Sequence, residues 1–237
     1  MSAARSGCSP PPIRRWMRPC ARPTWRRRPA TSASPTAMPA AVEQGEGRRP
    51  RLFVFFGMIA SGKSTLARGF AERHGFSSYN TDRVRKELAG VDATTRCAEG
   101  VDQGIYSPAF TARTYQALLD RAEADLRAGM AGVVLDGSYG RRADRARVLE
   151  LAARLGVAVV FILCFCSDAE VRRRLALRAR DPGAVSDGRW EIYLSQKERF
   201  EPPDELGPAQ LVRINTEAPP EVLLERLAPL VSAPDGH

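Results

Sequence analysis

The chain has little histidine and little lysine. Among its 237 residues there are two histidines and three lysines, against 33 arginines. His74 directly precedes Gly75 at the predicted end of a helix, where a structural role is expected, and His237 is the last residue. Hydrolysis that depends on histidine, and metal sites with histidine ligands, are therefore nearly excluded.

The five cysteines form no CxxC pair and show no zinc-like spacing. Cys164 and Cys166 alternate with apolar residues on a predicted buried strand, where thiols behave as small hydrophobic groups. The longest apolar run, 157–166, is far shorter than the roughly 20 residues of a membrane span. These features predict a reduced, cytoplasmic protein without a membrane segment.

Acidic residues are scarce at the N-terminus. Residues 1–51 contain 11 arginines and only two acids, whereas the remainder of the chain is balanced in charge. The net charge of +9 thus belongs to this segment, and the rest makes no strong case for a nucleic-acid surface. Half of the 18 prolines lie in residues 1–50, which lack apolar periodicity. We therefore predict a disordered basic tail over 1–50, a domain over 51–231 and a disordered C-terminus over 232–237.

From Arg51 onward, short apolar strands alternate with helical patterns. Continuous apolar strands separated by helices predict an α/β domain, in which a parallel sheet is covered by helices on both faces. Strands are predicted at 51–56, 76–80, 132–135, 157–166 and 210–215, and helices at 62–74, 82–89, 107–128, 141–155, 168–180, 188–200 and 220–230.

The first strand runs directly into a GxxxxGK[ST] sequence, the pattern of a phosphate-binding P-loop. Its glycines allow successive backbone N–H groups to face a phosphate, and the N-terminus of the following helix favours an anion. We expect Lys63 to reach the β- and γ-phosphates of ATP and the Ser64 hydroxyl to ligate Mg²⁺. The predicted nucleotide-binding residues are Gly57, Met58, Ile59, Ala60, Ser61, Gly62, Lys63, Ser64 and Thr65.

Two carboxylates follow predicted strands. Asp136 ends the strand 132–135 and is a candidate Walker-B-like residue for Mg²⁺ and the substrate. The next residue is Gly137, where motor-type ATPases have a glutamate that activates water, so hydrolysis as the main task is disfavoured. Asp82 closes the second strand and is a candidate general base, although it could also cap the helix after it.

The helix 168–180 carries five arginines, of which Arg174 and Arg178 lie four residues apart on one face. Cations on a lid over the phosphates would stabilise the charge that develops on the transferred group. We predict that Arg174 and Arg178 have this role and that the others form a solvated basic face.

Several separated segments together resemble a family of predicted P-loop kinases that is often filed under the AAA label. In many of its members this domain follows an aminoglycoside-phosphotransferase-like domain, and more distant relatives are zeta toxins, chloramphenicol phosphotransferase, gluconate and shikimate kinases, and polynucleotide kinases. The resemblance covers about residues 51–230 and implies a three-layer fold with a parallel five-stranded sheet and an arginine-bearing lid. It implies ATP·Mg²⁺ binding by Lys63 and Ser64, a general base at Asp82, and lid residues at Arg174 and Arg178. The segments that carry it are 80–90 (NTDRVRKELAG), 104–108 (GIYSP), 133–136 (VVLD), 174–178 (RLALR) and 187–204 (DGRWEIYLSQKERFEPPD).

Residues 91–115 and 137–142 are expected to surround the acceptor. Cationic candidates for an anionic acceptor are Arg85, Arg96, Arg141 and Arg142. The tyrosines that could stack on a ring of the acceptor or form hydrogen bonds with its hydroxyls are Tyr79, Tyr106, Tyr115 and Tyr139. Asn215 and Thr216 are candidates for contact with adenine.

The predicted function is transfer of the γ-phosphate of ATP to a hydroxyl of a small molecule such as an antibiotic, sugar or nucleoside. One alternative is a kinase of nucleic-acid 5′-hydroxyls or nucleotide sugars. Another is a non-catalytic ATP-dependent switch that partners an aminoglycoside-phosphotransferase-like protein in trans.

Overall fold

The computed structural model describes residues 49–92, 103–180 and 189–232. Nearly all of the predicted tail (1–50) and C-terminus (232–237) lies outside these ranges. The elements are β1 (Arg51–Phe56), α1 (Lys63–His74), β2 (Ser77–Asn80), α2 (Thr81–Leu88), a 3₁₀ turn (Gly104–Tyr106), α3 (Pro108–Arg127), β3 (Gly132–Asp136), α4 (Arg142–Leu155), β4 (Ala158–Phe165), α5 (Asp168–Ala179), α6 (Trp190–Arg199), β5 (Leu211–Asn215), α7 (Pro220–Leu227) and α8 (Pro229–Ser232).

The five strands form one parallel sheet in the order β2-β3-β1-β4-β5. The central strand β1 is buried along its whole length, and its side chains alternate between two cores. Phe56 packs in one core with Leu118 of α3 and Val148 of α4. Phe55, on the opposite face, packs in the other core with residues of α1 and α7, among them Phe70. This arrangement confirms the predicted three-layer α/β/α fold.

The ends of the elements follow local chemistry. Helix α1 ends before Gly75, which adopts φ 67°. Helix α2 begins one residue earlier than predicted, because the Asn80 side chain accepts a hydrogen bond from the backbone N–H of Arg83. Asp82 therefore lies in the first turn of α2 rather than at the end of the strand, and Asn80 is the cap.

The cysteine prediction was half right. Cys164 is buried on β4, whereas β4 ends at Phe165, so that Cys166 lies beyond the strand and is partly exposed. Burial raises the pKa of both thiols. In the described part of the chain, no helix is long and apolar enough to cross a membrane.

The sheet order brings the candidate residues together. β1 lies between β3 and β4. After β1 the chain continues to β2, on the β3 side of the sheet, and after β3 it crosses to β4 on the other side. The direction of the connections therefore reverses beside β1. In open α/β sheets, ligands bind at the carboxyl ends of the strands beside such a reversal. The loop after β1 and Asp136 at the end of β3 both lie at this edge.

Candidate active site

The loop between β1 and α1 has a backbone that requires glycine at two positions. Gly57 has φ 138°, and a Cβ there would overlap the carbonyl oxygen of Cys164. Gly62 has φ 84°, and a Cβ there would lie 2.9 Å from Nη1 of Arg174. Lys63 folds back over the loop and donates from Nζ to the carbonyl oxygen of Met58, at 3.2 Å. A loop of this shape, which leads into a helix N-terminus, suits a phosphate chain.

Three neighbouring segments hold the loop by hydrogen bonds. The Gly57 N–H donates to the carbonyl oxygen of Ser138, after β3, at 3.3 Å. The Ile59 N–H donates to Oε1 of Gln196, on α6, at 2.7 Å. The Thr216 hydroxyl, after β5, donates to the carbonyl oxygen of Ser61 at 2.6 Å.

Asp136 is buried at the edge of this loop. Its side chain accepts a hydrogen bond at Oδ2 from the Asn80 amide, at 2.5 Å, whereas Oδ1 has no hydrogen-bond partner among the described residues. Burial raises the pKa of Asp136, and Lys63, Ser64 and Asn80 oppose that increase. The carboxylate thus shares its surroundings with the lysine and serine of the loop.

The unpartnered Oδ1 allows a test of the Mg²⁺ prediction. Mg²⁺ prefers hard oxygen ligands and is commonly held by one or two carboxylates together with substrate phosphates. The Asp136 carboxylate and the Ser64 hydroxyl supply such oxygens. No group of three or more His, Cys, Asp or Glu that could hold a metal by itself occurs in the described ranges. The residues present therefore fit a Mg²⁺ that arrives with a nucleotide.

The pKa of Arg178 depends on the charges of other candidate site residues. Burial and the neighbouring Arg174 lower the pKa of the Arg178 guanidinium, while Asp82 and Asp136 raise it. Asp82 also acts on Asp136, raising its pKa. The fold thus brings Asp136 close enough to Lys63, Asp82 and Arg178 for their charges to interact, although these residues are distant in sequence.

Arg174 is held against the loop from outside. Its Nη1 donates to the carbonyl oxygen of Ala60 at 3.1 Å and to the hydroxyl of Thr216 at 3.0 Å. Its Nη2 donates to the carbonyl oxygen of Thr216 at 2.6 Å, and Nε to Glu170 at 2.7 Å. In this structure Arg174 stabilises the loop, and its role as a lid residue stays a prediction.

The candidate acceptor residues fall into two groups. Arg85 is buried and donates from Nη1 to the carbonyl oxygen of Ile105 at 2.8 Å and to the Thr111 hydroxyl at 3.0 Å. Its guanidinium also lies 5.0 Å from the centre of the Tyr106 ring, so in this structure Arg85 contacts the segment 104–111. A role of Arg85 in binding the acceptor stays a prediction. Arg141 and Arg142 are exposed where α4 begins, and Arg96 lies outside the described residues.

The tyrosines serve mainly in packing. Tyr115 and Tyr139 are buried with ring centroids 4.8 Å apart, and the Tyr115 hydroxyl contacts Ser138 Oγ at 3.0 Å. The Tyr79 hydroxyl donates to Asp125 at 2.8 Å. Buried rings that contact each other are not available to stack on an acceptor, so the prediction of stacking was wrong for Tyr115 and Tyr139.

Sequence reasoning missed a buried ion pair beside the site. The Arg145 side chain, on α4, is fully buried and donates to both carboxylate oxygens of Glu205, at 2.5 and 3.1 Å. It also donates to the carbonyl oxygens of Tyr139 and Pro202. A signal was present, because Arg145 is spaced with Val148 on the apolar face of α4. Gln196 was also missed, since nothing in its helical pattern marks it as a partner of the loop.

The fold and the loop together define the class of this protein: it has the kinase-like fold of the P-loop NTPases. More particularly, the chain belongs to the AAA_33 family of AAA domains, whose family model matches residues 52–203. The family predicted from the sequence is thereby confirmed.

Two curated relatives are uncharacterized proteins, Rv2004c of Mycobacterium tuberculosis and Mb2027c of Mycobacterium bovis. Each is 37% identical to the chain over 142 residues, which is 60% of this chain. The matched part is 28% of the length of either relative. An aminoglycoside-phosphotransferase-like partner domain stays a prediction.

Solved structures of kinases share the fold. A sugar kinase from Janibacter sp. is 21% identical, with a TM-score of 0.57, and the match covers 80% of this chain and 99% of that one. The APS kinase CysC of Mycobacterium tuberculosis, in complex with AMPPNP and APS, is 20% identical with a TM-score of 0.55 over 79% and 100% of the two chains. A gluconokinase from Sinorhizobium meliloti is 19% identical with a TM-score of 0.52 over 78% and 95%.

Proposed function

We propose that this protein is an ATP-dependent phosphotransferase that moves the γ-phosphate of ATP to a hydroxyl of a small molecule. The observation that carries the proposal is the convergence of the phosphate loop, two carboxylates and a partly buried arginine at one edge of the sheet. The fold shared with sugar, gluconate and APS kinases supports it further.

Each residue has a distinct role in the transfer. The loop binds the phosphate chain through backbone N–H groups, and Lys63 turns from Met58 toward the β- and γ-phosphates. Asp82 accepts the proton of the acceptor hydroxyl as its oxygen forms a bond to the γ-phosphorus. The bond from that phosphorus to the bridging oxygen breaks, and ADP leaves. Arg178 stabilises the negative charge on the group in transit.

Ser64 and Asp136 would hold Mg²⁺ in this site. When bound with the nucleotide, the ion supplies positive charge to the β- and γ-phosphates. Asn80 orients Asp136 by its hydrogen bond to Oδ2 and leaves Oδ1 available.

Transfer is favoured over hydrolysis by the residue after Asp136. A Cβ at Gly137 would lie 2.7 Å from Cγ2 of Thr81 and 3.0 Å from the Tyr139 ring. A glutamate that activates water could not be placed there without movement of both neighbours. The site therefore has no room for the water-activating side chain of motor-type ATPases at this position.

The test is phosphate transfer from γ-labelled ATP by the purified chain. The acceptor panel contains aminoglycosides, chloramphenicol-like compounds, sugars, sugar acids, nucleosides and oligonucleotides with free 5′-hydroxyls. We expect one class of small hydroxylated molecule to be labelled. Labelling of 5′-hydroxyl oligonucleotides alone would favour the nucleic-acid alternative, and ATP binding without any acceptor would favour a switch.

Two substitutions assign the roles. Lys63→Ala should abolish both ATP binding and transfer. Asp82→Asn should reduce transfer by roughly 10²- to 10⁴-fold, the usual contribution of a general base, and leave ATP affinity nearly unchanged. Glu87→Gln is the matched control, because Glu87 lies on the same helix but is exposed and pairs with Arg121. Normal transfer by Asp82→Asn would contradict the assignment of the base.

A further inference from the structure

The peptide group between Ser138 and Tyr139, just after β3, is held by hydrogen bonds on both of its sides. Its carbonyl oxygen, from Ser138, accepts the N–H of Gly57, the first residue of the phosphate loop, at 3.3 Å. Its N–H, from Tyr139, donates to the hydroxyl oxygen of Tyr115, on α3, at 3.1 Å. Because the C=O and the N–H of a trans peptide point in opposite directions, Tyr115 and the loop hold this one plane from opposite sides.

The orientation of this peptide strains the residue that follows it. Tyr139 has φ 41°, in the left-handed region that residues with a Cβ rarely adopt. Rotation of the peptide plane by half a turn would change this φ to about −140°, which is ordinary extended backbone. The same rotation would direct the Tyr139 N–H at the Gly57 N–H, so that two donors would face each other. The two hydrogen bonds therefore hold the peptide against a strain that its rotation would relieve.

The Tyr115 hydroxyl is suited to this task. Tyr115 is buried, and burial raises the pKa of its hydroxyl, which therefore keeps its proton at neutral pH. It can accept the Tyr139 N–H and at the same time donate to Oγ of Ser138, 3.0 Å away. On the far side of Tyr139, its carbonyl oxygen accepts a hydrogen bond from Nη1 of Arg145 at 3.0 Å. The backbone beyond Tyr139 is thus fixed separately, and the plane before it is the part whose orientation depends on Tyr115.

We propose that the Tyr115 hydroxyl is a positioning group of the nucleotide site, which keeps the Ser138 carbonyl directed at Gly57 and thereby keeps the phosphate loop in the shape that binds nucleotide. Without the hydroxyl, the strain at Tyr139 is opposed by one hydrogen bond of similar strength, so the peptide populates both orientations. In the rotated orientation Gly57 has lost its acceptor, and the fraction of molecules with a competent loop falls. This inference rests on the proposed function only in that the loop binds nucleotide.

Tyr115→Phe in the full chain tests the proposal, with Thr114→Val as the matched control. Each change removes one buried hydroxyl from α3 and nearly keeps the shape of the side chain, but the Thr114 hydroxyl donates to the carbonyl oxygen of Phe110 within the same helix. Hydrogen exchange of the Gly57 amide should become at least about tenfold faster in Tyr115→Phe and stay unchanged in the control. The dissociation constants of ATP and ADP should both rise about 3- to 10-fold, because apparent affinity scales with the competent fraction. With an active acceptor, KM for ATP should rise by the same factor while kcat at saturating ATP stays within about twofold, since bound nucleotide selects the competent loop.

The wild-type protein offers a second measurement that needs no variant. Rotation of one peptide frees the N–H groups of Gly57 and Tyr139 together, so the protection factors of these two amides should agree within about threefold. A larger difference would overturn the proposal, because it would show that the two N–H groups open independently.

The outcomes separate this inference from the proposed function. If Tyr115→Phe lowers Tm but leaves Gly57 exchange and nucleotide affinity as in the wild type, the hydroxyl is merely structural and the inference is wrong. If Gly57 exchange and the affinity for both nucleotides change as expected but no acceptor is ever phosphorylated, the inference holds and the kinase proposal fails. If Asp82-dependent transfer is found and Tyr115→Phe retains the wild-type KM for ATP, only the inference fails.

Discussion

The buried pair of Arg145 and Glu205 allows a stability prediction with a definite magnitude. Replacing Glu205 by Gln removes the negative charge but keeps the shape of the side chain and one acceptor. The Arg145 side chain has no exposed surface, and its Nε and Nη2 both donate to Glu205. An arginine in this position cannot lose its proton, so it stays charged in the interior without a full counter-charge.

The expected loss follows from measured cases of this kind. Removing one partner of a buried ion pair costs about 3–5 kcal/mol, and the remaining acceptor of glutamine places this variant near the lower end. Domains of this kind are stable by about 5–15 kcal/mol, so the loss is a large fraction of the total. For a domain of about 150–250 residues it corresponds to a Tm lower by roughly 6–12 °C.

The assay is urea and thermal unfolding of the full chain, compared with Glu123→Gln. Glu123 also forms a bidentate ion pair with an arginine, Arg154, at 2.6 and 2.8 Å, but the Arg154 side chain is 56% exposed. We expect the control to lose much less stability, because water solvates its arginine. The double variant Arg145→Met with Glu205→Leu should recover much of the loss, since apolar side chains of similar volume often replace a buried pair without cost. Equal losses for Glu205→Gln and Glu123→Gln would refute the reasoning.

Three further predictions concern the same structure. A left-handed backbone at a residue with a Cβ costs about 1–2 kcal/mol, and Gly62→Ala should destabilise the protein by more than this because its Cβ would also be crowded. The same variant should lower ATP affinity at least about tenfold in a binding titration. Gly75→Ala is the control, because Gly75 has φ 67° and open space around it, so this variant should show only the backbone cost in unfolding and no loss of ATP affinity. Thr216→Val should cost about 1–3 kcal/mol in unfolding and raise KM for ATP more than it lowers kcat, because the carbonyl oxygen of Ser61 loses its donor; an unchanged KM would contradict this. Arg145 holds the pKa of Glu205 below its ordinary value of 4.5, so the carboxylate stabilises the fold above that pH and the contribution disappears as pH falls through the lower folded pKa. The difference in stability between wild type and Glu205→Gln should therefore shrink in acid titrations below about pH 4.5 and stay constant above it.

The fold was predictable because its signals are local and repeated. Every observed strand matches a predicted strand to within one residue at each end, and α1 and α4 end before glycines, as predicted. The phosphate loop was predictable for the same reason, since its glycines, Lys63 and Ser64 are contiguous. Asp136 was found because a carboxylate after a buried strand lies at the ligand edge of a parallel sheet.

The rest of the site depends on contacts between distant residues, which single-sequence patterns do not contain. Gln196 and Ile59 meet only because α6 packs on the loop, and a glutamine in a mostly polar helix resembles any solvated residue. Arg174 was predicted as a lid cation from its spacing with Arg178, yet its donors are directed at Ala60 and Thr216. Spacing indicates which residues share a helical face, but it does not indicate what that face contacts.

The phosphate loop takes its shape from segments well beyond its own. The Gly57 N–H is bound by the segment after β3, the Ile59 N–H by α6, and the carbonyl oxygen of Ser61 by Thr216 after β5. The family match ends at residue 203, so Thr216 lies outside it, as does the strand β5 that completes the sheet beside β4. These three hydrogen bonds fix the backbone of the loop in one conformation, which is the property that a preorganised anion site requires. The structural unit that holds the phosphate loop is therefore longer than the segment by which the family is recognised, and it extends along the chain as far as Thr216.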